Sequence, residues 1–172
     1  MTVLYNLNSI SVSKLEDNTY SITNDSDILS FFSLLKFPYT EEKEHVDIIY
    51  FKAQSVQTLS QYMKKEEVFD YQTILSMLYT LGNQLLYLEK QNKGIPFFAL
   101  EDILIINDNT FLFINIDKIL PIENKELILN YPLSLKSLFI APELNKDLTI
   151  PLKLYYTCSY YSLGLLFMYC LY

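Results

Sequence analysis

Arginine and tryptophan are absent from the 172-residue sequence, glycine occurs three times, and histidine occurs once. All 13 basic residues are therefore lysines, and no mechanism within this chain can use a guanidinium group. The first glycine is Gly82, so no glycine-rich loop that cradles phosphates lies before it. The only histidine, His45, follows the charged stretch "TEEKE", where we expect a solvated loop side chain rather than a general base.

The chain is acidic, with a net charge of -7, and its longest run of basic residues is Lys64-Lys65. Proteins that bind nucleic acid neutralise phosphates with clustered basic residues. We therefore expect no DNA or RNA partner. The abundance of Lys, Asn, Ile and Tyr is typical of codons rich in A and T, as in some parasites and large DNA viruses, so a viral source is one interpretation.

Two cysteines, Cys158 and Cys170, fall in one predicted helical segment. Their separation corresponds to about 18 Å along a helix, which is too far for a disulfide. We expect buried thiols in a reducing compartment and hence a cytoplasmic protein. The N-terminal sequence lacks the pattern of a signal peptide, and the apolar segment 160–172 is too short to span a bilayer, which favours a buried helix.

Residues 1–53 predict a small lobe rich in strands. The runs "YNLNSISVS" and "NTYSIT" flank the turn-forming "LEDN", which indicates a β-hairpin. A short helix is predicted to begin among Asp25, Ser26 and Asp27 and to end before Pro38. The run "VDIIYFKA" is typical of a strand.

Residues 54–172 predict a mainly helical second lobe. "SVQTLSQYMKKEE" is expected to be helical, and a longer helix is expected from the cap residue Asp70 to Gly94. "DILIINDNTFLFINI" predicts two strands around an Asn-Asp-Asn-Thr turn. The sequence thus predicts an α+β protein divided near residue 53.

Residues 46–172 resemble a eukaryotic-type protein kinase in the order of four segments. "VDIIYFKAQSVQTLSQYM" is similar to the last strand of the small lobe, the hinge and the first helix of the large lobe, and "DILIINDNTFLFINIDKI" to the hairpin that runs into the Asp-Phe-Gly segment. "FIAPEL" resembles the end of the activation segment, and "YYSLGLLFMYCL" the central helix of the large lobe. The resemblance implies a kinase-like two-lobed fold, with a reduced N-lobe and a C-lobe truncated after the central helix. An unrelated α+β domain is the alternative.

The groups that such kinases use for phosphoryl transfer are missing at the matching positions. Lys14 in "ISVSKLE" is the only lysine similar to the strand lysine of the family, but too little chain precedes it for a hairpin that carries the glycine loop. The following helix, "SDILSFFSLLK", has no glutamate to hold it, so we expect Lys14 to be solvated. When "IPFFALED" is aligned back from Asp102, the catalytic aspartate falls on Phe97, which accepts no proton. We predict that Phe97 and Phe98 are buried.

Two metal-ligand positions of the family keep polar residues. The resemblance places Asp102 at the asparagine and Asn115 at the Asp-Phe-Gly aspartate, giving Asn115-Ile116-Asp117. Asp102 with Asn115 or Asp117 has the oxygen atoms to bind Mg²⁺, but such sites depend on substrate phosphates for further ligands. The other interpretation is that Asp102 and Asn115 cap turns at the hairpin ends. We predict no catalytic residue, no metal and no cofactor.

Two structural positions of the family have also changed. Glu143, the glutamate of Ala-Pro-Glu, has no arginine to pair with in this chain. Ser159 stands where the family has an aspartate that supports the catalytic loop, and it is expected to cap the last helix without a charge. Either the chain is part of a longer protein or the fold is reduced.

These losses indicate a pseudokinase, a catalytically inactive kinase-like protein that acts as a protein-interaction or scaffold module. The helix within 155–172 is predicted to be apolar on every side, so a second copy or another protein is expected to cover it. Its residues are Leu163, Leu166, Phe167 and Cys170 on one face and Tyr161, Leu165, Met168 and Tyr172 on the others. The alternative is an atypical nucleotide-binding kinase or phosphotransferase with relocated catalytic groups. Such an enzyme would use Asp102 or Asp117 as the general base, and Phe51 or Phe113 would contact the adenine ring.

Overall fold

The computed structural model describes residues 1–7, 9–23, 25–42, 45–65, 69–130, 137–145 and 149–172. In chain order the elements are β1 (Thr2–Leu7), β2 (Ile10–Lys14), β3 (Thr19–Thr23), α1 (Ser26–Leu34), β4 (Thr40–Glu42), β5 (His45–Lys52), β6 (Val56–Thr58), α2 (Leu59–Met63), α3 (Tyr71–Lys90), β7 (Lys93–Gly94), β8 (Ile103–Ile106), β9 (Thr110–Phe113), β10 (Leu120–Glu123), β11 (Glu126–Leu129), β12 (Leu152–Tyr155) and α4 (Cys158–Leu171). The α+β prediction is confirmed.

The chain forms two compact units. Unit 1 consists of Met1–Glu67 and Glu101–Asp117, and unit 2 consists of Val68–Leu100 and Lys118–Tyr172. Both units are therefore discontinuous along the chain. The sequence predicted one domain boundary after residue 53, which differs from the division into these two units. That domain boundary stays a prediction.

Unit 1 is built on a five-stranded antiparallel sheet in the order β1-β2-β3-β5-β4. Helix α1 lies between β3 and β4 in the chain and begins at Asp25, whose carboxylate accepts backbone N–H groups of the first turn. Its apolar side packs into the unit through the buried residues Ile28, Phe31 and Phe32. The predicted helix and the predicted strand over "VDIIYFKA" are confirmed.

The predicted hairpin around the turn "LEDN" is confirmed, because β2 pairs with β3 on either side of it. A further strand precedes this hairpin. "YNLNSISVS" contributes to two strands, because Leu7 pairs with Ile10 at the end of the β1–β2 ladder. No glycine or proline marks the reversal, so the sequence did not signal it. Lys14 is the last residue of β2 and pairs with Thr2, so it belongs to the β1–β2 hairpin and does not follow it. His45 is also the first residue of β5 rather than a loop residue.

A second, three-stranded antiparallel sheet of unit 1 has the order β6-β8-β9. The predicted β8–β9 hairpin is confirmed, with Asn107 and Asp108 in the left-handed region at φ 52° and 61°. The helix predicted over "SVQTLSQYMKKEE" is shorter than expected, because β6 precedes it. Thr58 and Gln61 form a capping box that starts α2 only at Leu59.

Unit 2 combines α3 and α4 with a four-stranded antiparallel sheet in the order β12-β11-β10-β7. Helix α3 begins after Asp70, as predicted, but ends at Lys90 rather than near Gly94. The left-handed residue that follows it is Asn92, at φ 54°. The strands β10, β11 and β12 were not predicted from the sequence.

The two thiols are free and buried, as predicted. Burial raises the pKa of Cys170 to about 12, and burial together with the charge of Glu143 raises the pKa of Cys158 to about 12. Both pKa values lie above the ordinary thiol pKa of 9.0. Between about pH 9 and 12, the folded state therefore keeps thiol protons that the unfolded state loses. The stability contributed by the neutral thiols is therefore present below about pH 9 and is lost as the pH rises towards 12.

We expect the free energy of unfolding to fall by about 1.4 kcal/mol per pH unit for each thiol between pH 9 and 12. Denaturant titrations at several pH values of the parent and of Cys170→Ala measure this slope. The variant should be less steep by the contribution of one thiol. Equal slopes would contradict the prediction, whatever the offset in stability between the two proteins.

Candidate functional site

Asp102 and Asn115 lie opposite each other at the open end of the β8–β9 hairpin. Ile103 pairs with Phe113, so the residues that flank this pair meet, and the N–H of Ile114 donates to the carbonyl of Asp102 at 2.9 Å. The side-chain Nδ2 of Asn115 donates to Oδ1 of Asp102 at 2.7 Å, and both side chains are buried. The two side chains are hydrogen-bonded to each other. Neither the interpretation as metal ligands nor the interpretation as turn caps predicted this contact.

This pair does not fit two oxygen ligands of a metal ion. Asn115 turns an N–H group, which cannot ligate a cation, towards the carboxylate of Asp102. Its own Oδ1 is buried and accepts no hydrogen bond from the described residues. Within the described part of the chain, no group of three or more His, Cys, Asp or Glu side chains is placed to hold a metal.

The β1–β2 hairpin reaches the same end of unit 1. Ser9, in its turn, donates its hydroxyl to Oδ1 of Asp117 at 2.6 Å, across 108 positions of sequence. Tyr5, on β1, is partly buried, and burial raises its pKa well above the usual value. The negative charges of Asp102, Asp117 and Glu101 raise that pKa further, in this order. Tyr5 and Ser9 thus join the acidic residues of the candidate site.

Sequence reasoning did not find Tyr5 and Ser9. Both belong to the stretch that was predicted as one strand of a hairpin, so the turn at Ser9 was not recognised. No local signal in "YNLNSISVS" indicates a contact with Asp117.

Phe97 and Phe98 are both buried in unit 2, with 0% and 1% of their surface exposed, which confirms the prediction. The ammonium of Lys118 lies 4.3 Å from the ring centroid of Phe97. The backbone N–H of Phe98 donates to the hydroxyl of Ser162 at 2.8 Å. These contacts make the segment part of the core of unit 2. The phenyl side chain at position 97 has no group that could exchange a proton.

Ser159 does not cap α4, contrary to expectation. The N-cap residue is Thr157, and it makes no side-chain capping bond. Ser159 lies inside the first turn, and its hydroxyl donates to the backbone carbonyl of Ile95 at 2.5 Å. This hydrogen bond attaches the first turn of α4 to the segment just before Phe97.

Lys14 and Glu143 are both exposed. Lys14 lies at the end of β2, where its ammonium is 5.8 Å from the ring centroid of Tyr20, which agrees with the expected solvated position. Glu143 lies in the short 3₁₀ turn Pro142–Asn145. The side chain of His45 lies outside the described side chains, so its expected solvation stays a prediction.

Among the described residues of unit 1, a cleft of about 280 Å³ lies beside the start of β3, the start of β4 and the end of β5. It is lined by Thr19, Pro38, Tyr39, Thr40, Tyr50, Phe51 and Lys52. Phe51 is therefore close to open space, although only 3% of it is exposed. Phe113 is fully buried and offers no ring face to a ligand.

The sequence matches no model of a known protein family, and no curated protein is significantly similar to it. Among the described residues, no helix is long and apolar enough to cross a membrane.

Proposed function

We propose that this chain is a kinase-like protein without phosphoryl-transfer activity, which acts by binding another protein. The observation that carries the proposal is the burial of Phe97, the residue that the resemblance aligns with the catalytic aspartate. Phosphoryl transfer in the kinase family needs a carboxylate there to orient or deprotonate the hydroxyl nucleophile. A phenyl ring in the core of unit 2 cannot replace it.

The order of elements supports the kinase-like part of the proposal. An antiparallel sheet with a helix after its third strand is followed by a long helix, a hairpin, the Ala-Pro-Glu turn and a final apolar helix. In the family, the third strand carries the phosphate-binding lysine and the following helix the glutamate that holds it. Here β3 contains no lysine and α1 contains no glutamate. The ion pair that positions a nucleotide is missing from both elements.

The β1–β2 hairpin gives independent support. In active kinases a glycine-rich loop covers the phosphates of the nucleotide. The corresponding hairpin of this chain has no glycine, and its turn residue Ser9 is bonded to Asp117. Asp102 is likewise engaged by Asn115. Asp102 and Asp117 therefore both accept hydrogen bonds from protein groups.

The interaction role rests on the apolar surface of unit 2. Helix α4 buries Leu163, Leu166 and Cys170, whereas Phe167, which was predicted on the same face, is only partly buried. Its other side exposes Tyr161, Met168, Tyr169, Leu171 and Tyr172. Surfaces of this kind usually mark an interface with another protein. We propose that residues 155–172 contribute to such an interface, and that the protein is a scaffold in the cytoplasm, where buried free thiols stay reduced.

We expect no nucleotide binding. With 5 mM ATP and Mg²⁺, the melting temperature should stay within about 1 °C of the value without nucleotide. A nucleotide that did bind, at a hundredfold its dissociation constant, would add about 2.7 kcal/mol to the free energy of unfolding and raise the melting temperature by about 5–10 °C. ADP with Mg²⁺ and Mg²⁺ alone serve as controls. A reproducible shift of several degrees that depends on the nucleotide would reject the proposal.

One observation favours the alternative of an atypical nucleotide-binding protein. The cleft beside Phe51 combines aromatic walls from Tyr39 and Tyr50 with the lysine Lys52 at its edge. If ATP does shift the melting temperature, Lys52→Ala should abolish the shift. A nucleotide effect that survives this substitution would place the ligand elsewhere.

A further inference from the structure

A polar cleft of about 230 Å³ lies in unit 2, beside the end of α3, the β10–β11 turn and the residue that follows β12. Its lining residues are Glu89, Asn92, Ile122, Asn124, Lys125 and Tyr156. A water molecule takes up about 30 Å³, so the cleft has room for a compound of roughly eight to ten atoms other than hydrogen. Its size therefore suits a small metabolite rather than a nucleotide.

Backbone hydrogen bonds hold the walls of this cleft together. The N–H of Ile122 donates to the carbonyl of Asn92 at 2.7 Å and joins β10 to the segment after α3. The N–H of Tyr156 donates to the carbonyl of Lys125 at 3.1 Å and joins the segment after β12 to the β10–β11 turn. Walls that are fixed before a ligand enters lower the entropic cost of binding.

One negative and one positive side chain line the cleft, and they do not pair with each other. Within the described part of the chain, the ammonium of Lys125 forms no ion pair with Glu89 or with any other carboxylate. Glu89 is instead oriented by Tyr160, whose hydroxyl donates to its Oε2 at 2.5 Å. The cleft therefore presents a carboxylate and an ammonium that are both able to receive an oppositely charged group.

The remaining lining groups favour a ligand that carries both charges. A ligand with a single charge would be repelled either by Glu89 or by Lys125, whereas a zwitterion is attracted by both. Asn92 and Asn124 make no side-chain hydrogen bond with another described residue, and each amide offers a donor and an acceptor. Ile122 and the ring of Tyr156 supply apolar surface for the rest of the ligand, which are the lining residues that this paragraph adds.

We propose that this cleft binds a free α-amino acid with an apolar side chain, whose ammonium lies at Glu89 and whose carboxylate lies at Lys125. The proposal goes beyond the protein-interaction role and does not depend on it, because none of the lining residues is among the kinase positions compared above. Charged contacts that are open to water contribute little each, so we expect a dissociation constant on the order of 1 mM.

Titration with L-leucine tests the class of ligand, because this amino acid has an apolar side chain and a size that matches the cleft. In nuclear magnetic resonance spectra of the ¹⁵N-labelled full chain, L-leucine should shift the amide signals of Asn92, Asn124 and Lys125 until they saturate. The controls are 4-methylpentanoate, which lacks the ammonium, and 3-methylbutylamine, which lacks the carboxylate. Each should bind at least about fivefold more weakly. Equal binding of either control, or no shift with L-leucine at about 10 mM, overturns the proposal.

Lys125→Gly tests the site with a substitution that the backbone accepts. Lys125 has φ 67°, in the left-handed region that glycine adopts without strain, so the variant should keep the fold. It should raise the dissociation constant of L-leucine at least about fivefold. The matched control is Lys36→Gly, which changes an exposed lysine of unit 1 at φ 53° and should leave binding unchanged.

Glu89→Gln removes the negative charge but keeps an acceptor for the Tyr160 hydroxyl, and it should weaken L-leucine binding by a similar factor. Circular dichroism and melting temperature confirm that each variant is folded before binding is measured. Binding that is unchanged in both Lys125→Gly and Glu89→Gln, or that is weakened equally by Lys36→Gly, overturns the proposal.

Discussion

Replacing Phe97 by alanine is expected to lower the free energy of unfolding by about 3–5 kcal/mol. The ring is fully buried in a cluster that includes Leu120, Leu127 and Leu154. Truncation removes its apolar contacts and leaves a cavity, and it also removes the ring face beside the Lys118 ammonium. Denaturant unfolding of the parent and the variant measures the difference. Phe98→Ala should cost on the order of 3 kcal/mol for the same reason.

The matched control is Tyr155→Ala, which truncates a 65% exposed aromatic residue of the same unit. Its effect should stay within about 0.5 kcal/mol, as for most surface substitutions. If Phe97→Ala and Phe98→Ala both unfold like the parent, the two rings are not packed as described. The match of "IPFFALED" to the catalytic loop would then lose its support.

Replacing Asn115 by aspartate is expected to destabilise the protein by about 3–5 kcal/mol. Asn115→Asp replaces the N–H donor to Asp102 with a second buried carboxyl group, at a contact that is now 2.7 Å. Two carboxylates at this distance cannot both ionise without a large cost. Unfolding at neutral pH, compared with Asn109→Asp in the exposed turn of the same hairpin, isolates the effect of the buried contact.

The double variant Asp102→Asn/Asn115→Asp exchanges the two groups and restores an amide facing a carboxylate. We expect it to recover at least about 2 kcal/mol of the loss, as a coupling energy between the two positions. If Asn115→Asp alone is as stable as the parent, the buried hydrogen bond between the two side chains is not formed. If the double variant recovers none of the lost free energy of unfolding, then groups around position 115 other than Asp102 cause the destabilisation by Asn115→Asp.

The elements that the sequence predicted are those with strong local signals. Helix α1 has its cap at Asp25, α3 has its cap at Asp70, and β8–β9 has two strands of β-branched and aromatic residues around an Asn-Asp-Asn turn. The strands β10 and β11 were missed, because their turn, Asn124–Lys125, takes positive φ values without a glycine. The β1–β2 turn was missed because no glycine or proline marks it in the sequence.

The candidate site was predicted only in part. Local alignment placed Asp102, Asn115 and Asp117 near one another, and the structure brings them to one end of unit 1. The bond between Asp102 and Asn115 depends on side-chain orientation at the hairpin end, and the bond from Ser9 depends on a contact between distant segments. Neither leaves a periodic pattern in the sequence, which is why both were missed.

The discontinuity of unit 1 has a consequence for its folding during synthesis. A nascent chain that has emerged from the ribosome only as far as residue 67 lacks Glu101–Asp117, which supplies the partner strand of β6 and the acceptor of the Ser9 hydroxyl. Contacts between segments so far apart form late, because a long loop must close first. A recombinant fragment that stops at residue 67 would expose the edge of β6 to other chains, so dissection of this protein has to keep residues 101–117 with the N-terminal segment.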